Sequence, residues 1–245
     1  PFTDELMKKW GIPWEPALLP SKGIHLWLKP EALKLHGPMV LPANDGRVVF
    51  VIPQRDHILV GTTETPVNEE MFNIKATDAD VSYLLQVLRD YFPTANVGHD
   101  QIINTFAAIR PLVREANSSD RGKTSRFHRV FRPGLNMYAL LGGKYTTFRR
   151  MAQDICRELT PRLGVPYSST KTLAPLRRPS VVGTFENADV TEERILEILR
   201  TEKVRTYEDL VHRRLSLLTP SEELEVLAGR PKSAWETQIS QTRVK

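Results

Sequence analysis

Two adjacent glycines separate an apolar run from a helical one in Leu140-Leu141-Gly142-Gly143-Lys144-Tyr145-Thr146-Thr147-Phe148-Arg149. A strand ending in such a pair can turn sharply, because glycine takes positive φ without a Cβ clash and lets the backbone approach a ligand. The helix expected over 146–163 would present unpaired N–H groups and about half a positive charge at its start. Beside that start stand the Lys144 ammonium and the hydroxyls of Thr146 and Thr147. Such a place stabilises negative charge. It is not a phosphate-binding P-loop, which needs a different glycine spacing before its Lys-Ser/Thr pair. The residues alone leave a second reading open, a plain strand-to-helix turn with a threonine cap.

The hydrophobic period divides the rest of the chain. Ile24, Leu26 and Leu28 alternate and predict a strand over 23–28. Val48–Ile52 and Ile58–Val60 are β-branched runs joined by a polar turn, which predicts a hairpin. A short helix is expected over 3–9 with Thr3 as its N-cap, and Ile102–Ile109 reads as a strand that runs into Arg110-Pro111. Thr77-Asp78-Ala79-Asp80 opens a helix whose apolar residues Val81, Leu84, Leu85, Leu88 and Tyr91 recur at helical spacing. The polar stretch Glu115–Lys123 predicts an exposed loop, and 136–141 predicts a strand. From about residue 190 onward only helical periodicity is visible, with capping signals at Thr191 and Thr206. The expected fold class is α+β. A domain with a mixed, largely antiparallel sheet occupies 1–165. A linker and a small all-α domain occupy 166–245.

Bulk properties narrow the partners only a little. A chain of 245 residues, 40% hydrophobic and 26% charged, can bury a real core and lacks a run of apolar residues that would span a membrane. The net charge of +5 favours anionic partners, but the arginines are scattered. Clustered basic residues interleaved with aromatics, the mark of a nucleic-acid-binding module, are not evident, so no nucleic-acid partner is expected. The single cysteine, Cys156, excludes an internal disulfide and a multi-cysteine zinc site, and its apolar helical setting predicts a buried structural thiol. No metal ligand set is expected. The sequence starts at Pro1 and is expected to be an incomplete or processed chain.

Three further places carry residues suited to chemistry. Arg110 closes an apolar strand, where an always-charged guanidinium needs a partner; a phosphate or carboxylate suits it, and so does a structural ion pair. His25 faces away from Ile24 and Leu26 and could accept a proton near neutral pH, although a lone strand histidine is more often structural. Arg126, in Ser125-Arg126-Phe127-His128, adds a cation after the polar loop, with a solvated face as the plainer reading. Gly61-Thr62-Thr63-Glu64 brings two hydroxyls and a carboxylate to the end of the second hairpin strand.

Taken in order, Gly23–His25, Arg47–Pro53, Gly61–Thr63, Ile109–Leu112 and Gly143–Arg149 resemble the FAD-dependent glycerol-3-phosphate dehydrogenases. Thr206–Leu210 followed by Arg213-Arg214 is similar to that family's C-terminal domain. The resemblance implies FAD as cofactor and oxidation of sn-glycerol 3-phosphate to dihydroxyacetone phosphate, with 1–165 as the substrate-binding domain together with the C-terminal part of the FAD-binding domain. Electrons would pass to a membrane quinone, or to oxygen in the related oxidases. It also implies that His25, Arg110, Arg126 and Lys144 line the substrate pocket. Arg110 and Arg126 would hold the phosphate, and His25 would accept the hydroxyl proton. Gly142, Gly143, Lys144, Tyr145, Thr146 and Thr147 would lie against the flavin. Glu64 stands where that family usually carries Asp. The Gly-x-Gly-x-x-Gly segment for the nucleotide is absent, so the chain alone is expected to bind FAD weakly or not at all and to be inactive. The absence of an EF-hand pattern favours a bacterial-type member. A cytoplasmic protein, peripheral on the anionic inner face of the cell membrane and able to form a homodimer, is the corresponding expectation. The alternatives are a related flavin oxidase of amino acids or amines, and a non-enzymatic basic binding module.

Overall fold

The computed structural model describes residues 1–54, 57–67, 70–114, 127–174, 190–215, 217 and 224–242. Its centre is a six-stranded antiparallel sheet. The strands are β1 (Leu18–Leu28), β2 (Met39–Pro42), β3 (Val48–Pro53), β4 (Ile58–Gly61), β5 (Thr65–Pro66) and β6 (Ile102–Val113). Their order runs β2-β3-β4-β1, with β5 continuing along the β4 edge of β1 and β6 on its other edge. The hairpin of β3 and β4 lies where its β-branched runs predict it. Strand β1 begins earlier than its alternation suggests, because Pro20 enters the ladder opposite Pro111. Neither proline has an N–H to offer, so both read as linker in sequence. Short β2, bounded by Pro38 and Pro42, was not legible for the same reason.

One face of the sheet is covered. Helix α2 (Asp78–Tyr91) starts at the Thr77 cap, with Asp80 completing a capping box. Its Val81, Leu84, Leu85 and Leu88 meet Ile24, Leu26 and Leu28 of β1, Val49 and Val51 of β3, and Ile58 and Val60 of β4 in one buried cluster. Each such side chain contributes about 1.5–3 kcal/mol when fully buried.

A second cluster joins Leu18 of β1 and Val113 of β6 to Leu141, packed with Trp14 and Phe131. Strand β7 (Arg129–Gly134) pairs with β8 (Met137–Leu141) in a separate hairpin. That cluster holds the end of β8, and the glycine pair after it, against the end of β6. Helix α1 (Thr3–Lys9) forms, but Thr3 lies inside it and makes no side-chain cap. Asp4 turns away instead, accepting from Trp14 Nε1 (2.7 Å) and the backbone N–H groups of Ala17 (3.1 Å) and Leu18 (3.0 Å). It thereby fixes the chain where it enters β1.

After β8 a 3₁₀ turn, Tyr145–Thr147, leads into helix α3 (Phe148–Leu159), shorter at both ends than its periodicity predicts. Cys156, expected to be buried, is exposed. The half-buried stripe of α3 runs through Met151, Ile155 and Leu159. Position 156 lies about 100° round from 155, on the solvent side. The expected loop at 115–123 lies outside the described residues.

The C-terminal segment has its own core of Ile195, Leu199, Tyr207, Leu210, Val211, Trp235 and Ile239. Helices α4 (Glu192–Thr201) and α5 (Lys232–Thr242) and a π-helical turn, Asp209–Arg214, surround it. Thr191 and Thr206 cap as their sequence positions predict, each accepting from the N–H three residues on. The expectation of an all-α unit needs correction. A minimal hairpin, β9 (Val226–Leu227) and β10 (Arg230–Pro231), turns through Ala228 (φ 49°) and Gly229 (φ 74°). Positive φ at both central residues makes a tight two-residue turn. Trp235 Nε1 donates to the Leu227 carbonyl (2.9 Å) and ties the hairpin to the core.

Lys22 shares the covered face of β1 with Ile24, so its ammonium enters the core. Asp80 meets it at 2.8 Å, with the two side chains 7% and 3% exposed. The Asp80 carboxylate also accepts from Thr77 N–H (3.0 Å) and Thr77 Oγ1 (2.7 Å). Burial works to raise its pKa, but the hydrogen bonds from Lys22 and Thr77 prevail and hold it below the usual carboxylate value. Asp80→Ala would remove a buried carboxylate from the Lys22 ammonium and from the Thr77 cap of α2, and is expected to lower the unfolding free energy by about 3–5 kcal/mol. Urea unfolding measures this, and a loss under about 1 kcal/mol, the worth of an exposed pair, would contradict it. Because the folded pKa is depressed, the contribution of Asp80 is full above the unfolded carboxylate pKa and disappears as pH falls through the lower folded value. In Asp80→Asn that acid dependence should be reduced.

Candidate active site

The opposite face of the sheet carries the other half of the β1 alternation: Ser21 and Gly23, which are buried, and His25 and Trp27, which are half-buried. Register sets Gly23 beside Ala108 and His25 beside Phe106, with Arg110 two residues further along β6. Arg110 therefore stands within β6, not at its end as the sequence suggested. Its Nη1 donates to the Thr63 carbonyl (3.0 Å) and its Nη2 to Thr62 Oγ1 (2.7 Å). Thr63 is fixed in turn, since its hydroxyl accepts from Ile24 N–H at 3.1 Å. The Gly61-Thr62-Thr63 motif thus works as the support of Arg110, a pairing that strands distant in sequence could not reveal.

His25 stacks on Phe106, with ring centroids 4.8 Å apart and planes 9° from parallel. Burial first, and then the neighbouring Arg110 charge, lower its pKa to about 4. The ring is neutral at pH 7. Its Nδ1 is buried without a hydrogen-bond partner among the described residues.

The double-glycine corner has the geometry its sequence implies. Gly142 has φ 78° and Gly143 φ 81°. Space demands glycine there as well: a Cβ on Gly142 would stand 2.6 Å from the Phe127 carbonyl oxygen and 2.8 Å from Val113 Cγ2. One on Gly143 would press on Met151 and on His128, whose Cβ is 3.3 Å away. Thr147 Oγ1 accepts from Lys144 N–H (3.1 Å) and donates to the Lys144 carbonyl (3.0 Å), closing the 3₁₀ turn. This turn occupies the place where the helix was expected to begin. Lys144, Tyr145, Thr146 and Thr147 are exposed, Tyr145 at 92%.

Both regions open onto one cleft of about 270 Å³, lined by Ile109, Arg110, Pro111, Leu112, Gly142, Gly143 and Lys144. Arg110, Lys144 and the glycine pair are therefore brought together. His25 lies on the same sheet face, close enough for the Arg110 charge to act on it, but outside that lining. Tyr145, Thr146 and Thr147 continue from its rim. Arg126 lies outside the described residues. Sequence reasoning passed over His128, which meets Asp154 of α3 at 2.9 Å and ties α3 to the chain beside Gly143. Asp154 also holds Arg150 and Arg157. Its pKa is lowered, first by the hydrogen bond from Arg150 and then, against burial, by that from His128. A histidine and an aspartate 26 residues apart give no local signal.

The residues present fit a flavin. Two glycines expose backbone at a corner, a lysine stands beside it, and the cleft between corner and Arg110 is open. The sequence profile of the FAD dependent oxidoreductase family matches residues 1–144. The mitochondrial glycerol-3-phosphate dehydrogenase of Mus musculus is 32% identical over 159 residues, covering 63% of this chain and 21% of that protein. The glycerol-3-phosphate dehydrogenase of Mycobacterium leprae is 36% identical over 134 residues, covering 55% and 22%. The aerobic enzyme of Bacillus subtilis is 30% identical over 163 residues, covering 66% and 29%. The crystal structure of the Bacillus halodurans glycerol-3-phosphate dehydrogenase complexed with FAD superposes with a TM-score of 0.58 at 26% identity, covering 69% of this chain and 32% of that one. The chain spans less than a third of the length of these relatives. With more than half of its residues matched by the family profile, the chain belongs to the FAD dependent oxidoreductase family.

Proposed function

We propose that this chain supplies the substrate-holding face of a flavoenzyme that oxidises sn-glycerol 3-phosphate to dihydroxyacetone phosphate. The observation that carries this reading is the shared cleft, in which Arg110 and Lys144 flank the double-glycine corner. Bound FAD would supply the two-electron acceptor for oxidation of the secondary alcohol. Gly142 to Thr147 would hold it, with the Lys144 ammonium and the start of α3 offering positive charge where the reduced cofactor is negative. Arg110, steadied by Thr62 and Thr63, would bind the phosphate, with Arg126 as a second cation. His25, neutral and stacked on Phe106, would orient the reacting hydroxyl and take its proton. With Nδ1 enclosed by the sheet, that exchange falls to Nε2.

The boundary at 165/166 belongs to the same proposal, supported by the separate apolar cores before and after it. So do passage of electrons to a membrane quinone, a peripheral seat on an anionic membrane, a cytoplasmic setting and a homodimer. The net charge of +5 supports the membrane seat, and no helix among the described residues is long and apolar enough to cross a membrane. The related flavin oxidases of amino acids are the second reading, since an arginine holds a carboxylate as well as a phosphate.

Assay of the full-length flavoprotein containing this chain separates the two: turnover is expected with glycerol 3-phosphate and not with glycine or sarcosine, and the reverse would overturn the reading. Arg110→Ala should weaken productive binding by about 2–5 kcal/mol, seen as a raised KM. An unchanged KM and kcat would remove the phosphate role.

Lys144→Met should make the flavin harder to reduce, because a cation that stabilises the reduced form is gone. A spectroelectrochemical titration that finds the same potential would reduce Lys144 to a turn residue.

The pKa of His25 sets the acid limb of activity. With the folded value lowered to about 4, the ring stays neutral until pH falls to that region, and kcat/KM of the free enzyme should decline there. An imidazole NMR titration of the substrate-free protein that places His25 near the ordinary histidine value of about 6.5 would contradict the reading. In Arg110→Ala the limb should move up in pH, because a depressing charge has been removed.

A further inference from the structure

Gly23 lies within β1 and Gly61 at the end of β4, and neither has positive φ. Any L-residue could adopt the backbone conformation of Gly23, and glycine weakens a strand by leaving nothing to pack. Both positions are nevertheless closed to a side chain. A Cβ on Gly23 would overlap Arg110 Nη1, Nη2 and Cζ, and one on Gly61 would overlap the His25 ring, with Cγ at 2.7 Å and Nε2 at 2.8 Å. Each obstacle is the working end of a side chain, and each lies flat on bare strand. The corner glycines differ, being held by positive φ and, at Gly142, by a neighbouring backbone oxygen.

We propose that Gly23 is a positioning residue for anion binding: its missing side chain is the seat that lets the Arg110 guanidinium lie across β1 within reach of Thr62 and Thr63. This rests on the reading that Arg110 holds the substrate phosphate, and Gly61 seats His25 in the same way. A methyl group at position 23 meets the far end of a flexible side chain. The fold can therefore be kept by lifting the guanidinium, which breaks its hydrogen bonds to Thr63 O and Thr62 Oγ1. The substitution acts at a distance of one side chain on a group it does not chemically alter.

The test is a cycle of Gly23→Ala, Arg110→Ala and the double variant in the full-length flavoprotein. Gly23→Ala is expected to raise KM for glycerol 3-phosphate about tenfold or more, as for loss of a hydrogen bond to a charged group, with kcat little changed. In the Arg110→Ala background it should add nothing. An unchanged KM, or the same increase with and without Arg110, would overturn the proposal. A crystal structure of substrate-free Gly23→Ala judges it independently of the substrate assignment: the guanidinium should have left Thr62 and Thr63, and an unmoved guanidinium refutes the seat. If the wild-type flavoprotein does not oxidise glycerol 3-phosphate, the functional reading fails while this structural arm still decides the seat. Should Gly23→Ala not fold, the double variant decides: folding restored by removing Arg110 supports the proposal, and failure of both refutes it.

Discussion

The pairing of β1 with β6 is the constraint on which the rest depends. It runs from Leu18 opposite Val113 to Leu28 opposite Ile102, and it decides what each side chain faces. Because successive side chains alternate, a slip of one residue would exchange the two faces of the strand. Ile24, Leu26 and Leu28 would lose α2, and His25 would lose Phe106. The buried Lys22–Asp80 pair opposes such a slip, since only the observed register brings the ammonium to the start of α2. The same pairing ends at Leu18 and Val113, where Leu141 joins them and brings the double-glycine corner to Arg110. Core and cleft are thus set by one ladder.

Much of this arrangement was legible in the sequence, and the legible parts share a cause. Thr77 and Asp80, the β3–β4 hairpin, and the caps at Thr191 and Thr206 are written in residues close together in the chain. The turn at Gly142-Gly143 is local too, and it was found. The illegible parts depend on residues far apart. Thr62 and Thr63 were visible as a motif, but their hold on Arg110 spans 48 and 47 residues. Strand β7 was missed because it is exposed along much of its length and shows no clean alternation. Cys156 was misplaced because an apolar helical run does not declare which side of it meets the protein. The C-terminal hairpin hid behind Ala228, a residue that propensity assigns to helix and tertiary context places at positive φ.

Glycine has two uses in this chain, and sequence alone does not separate them. At Gly142 and Gly143 the backbone itself requires it. At Gly23 the backbone is ordinary extended strand, and there the requirement comes from what lies on top. Both kinds cost conformational entropy on folding. Both occur beside the cleft, where close approach matters more than strand stability.

The electrostatics of the cleft follow from the same closeness. Arg110 and His25 are basic groups on one partly desolvated surface, and two adjacent cations there would repel. Burial disfavours the charged imidazole first, and the Arg110 guanidinium, which keeps its proton at any ordinary pH, adds to that. Its pKa is lowered to about 4, and a cation and a neutral ring are left side by side. On the proposed reading the sheet divides the labour before any ligand arrives: Arg110 would hold negative charge, and His25 would make neutral hydrogen bonds. Lys144 lies on the far wall of the cleft and is exposed, where water tempers its repulsion from Arg110. An anion between the two cations would relieve that repulsion, and His25 lies on the same sheet face as Arg110, where it would stand beside such an anion.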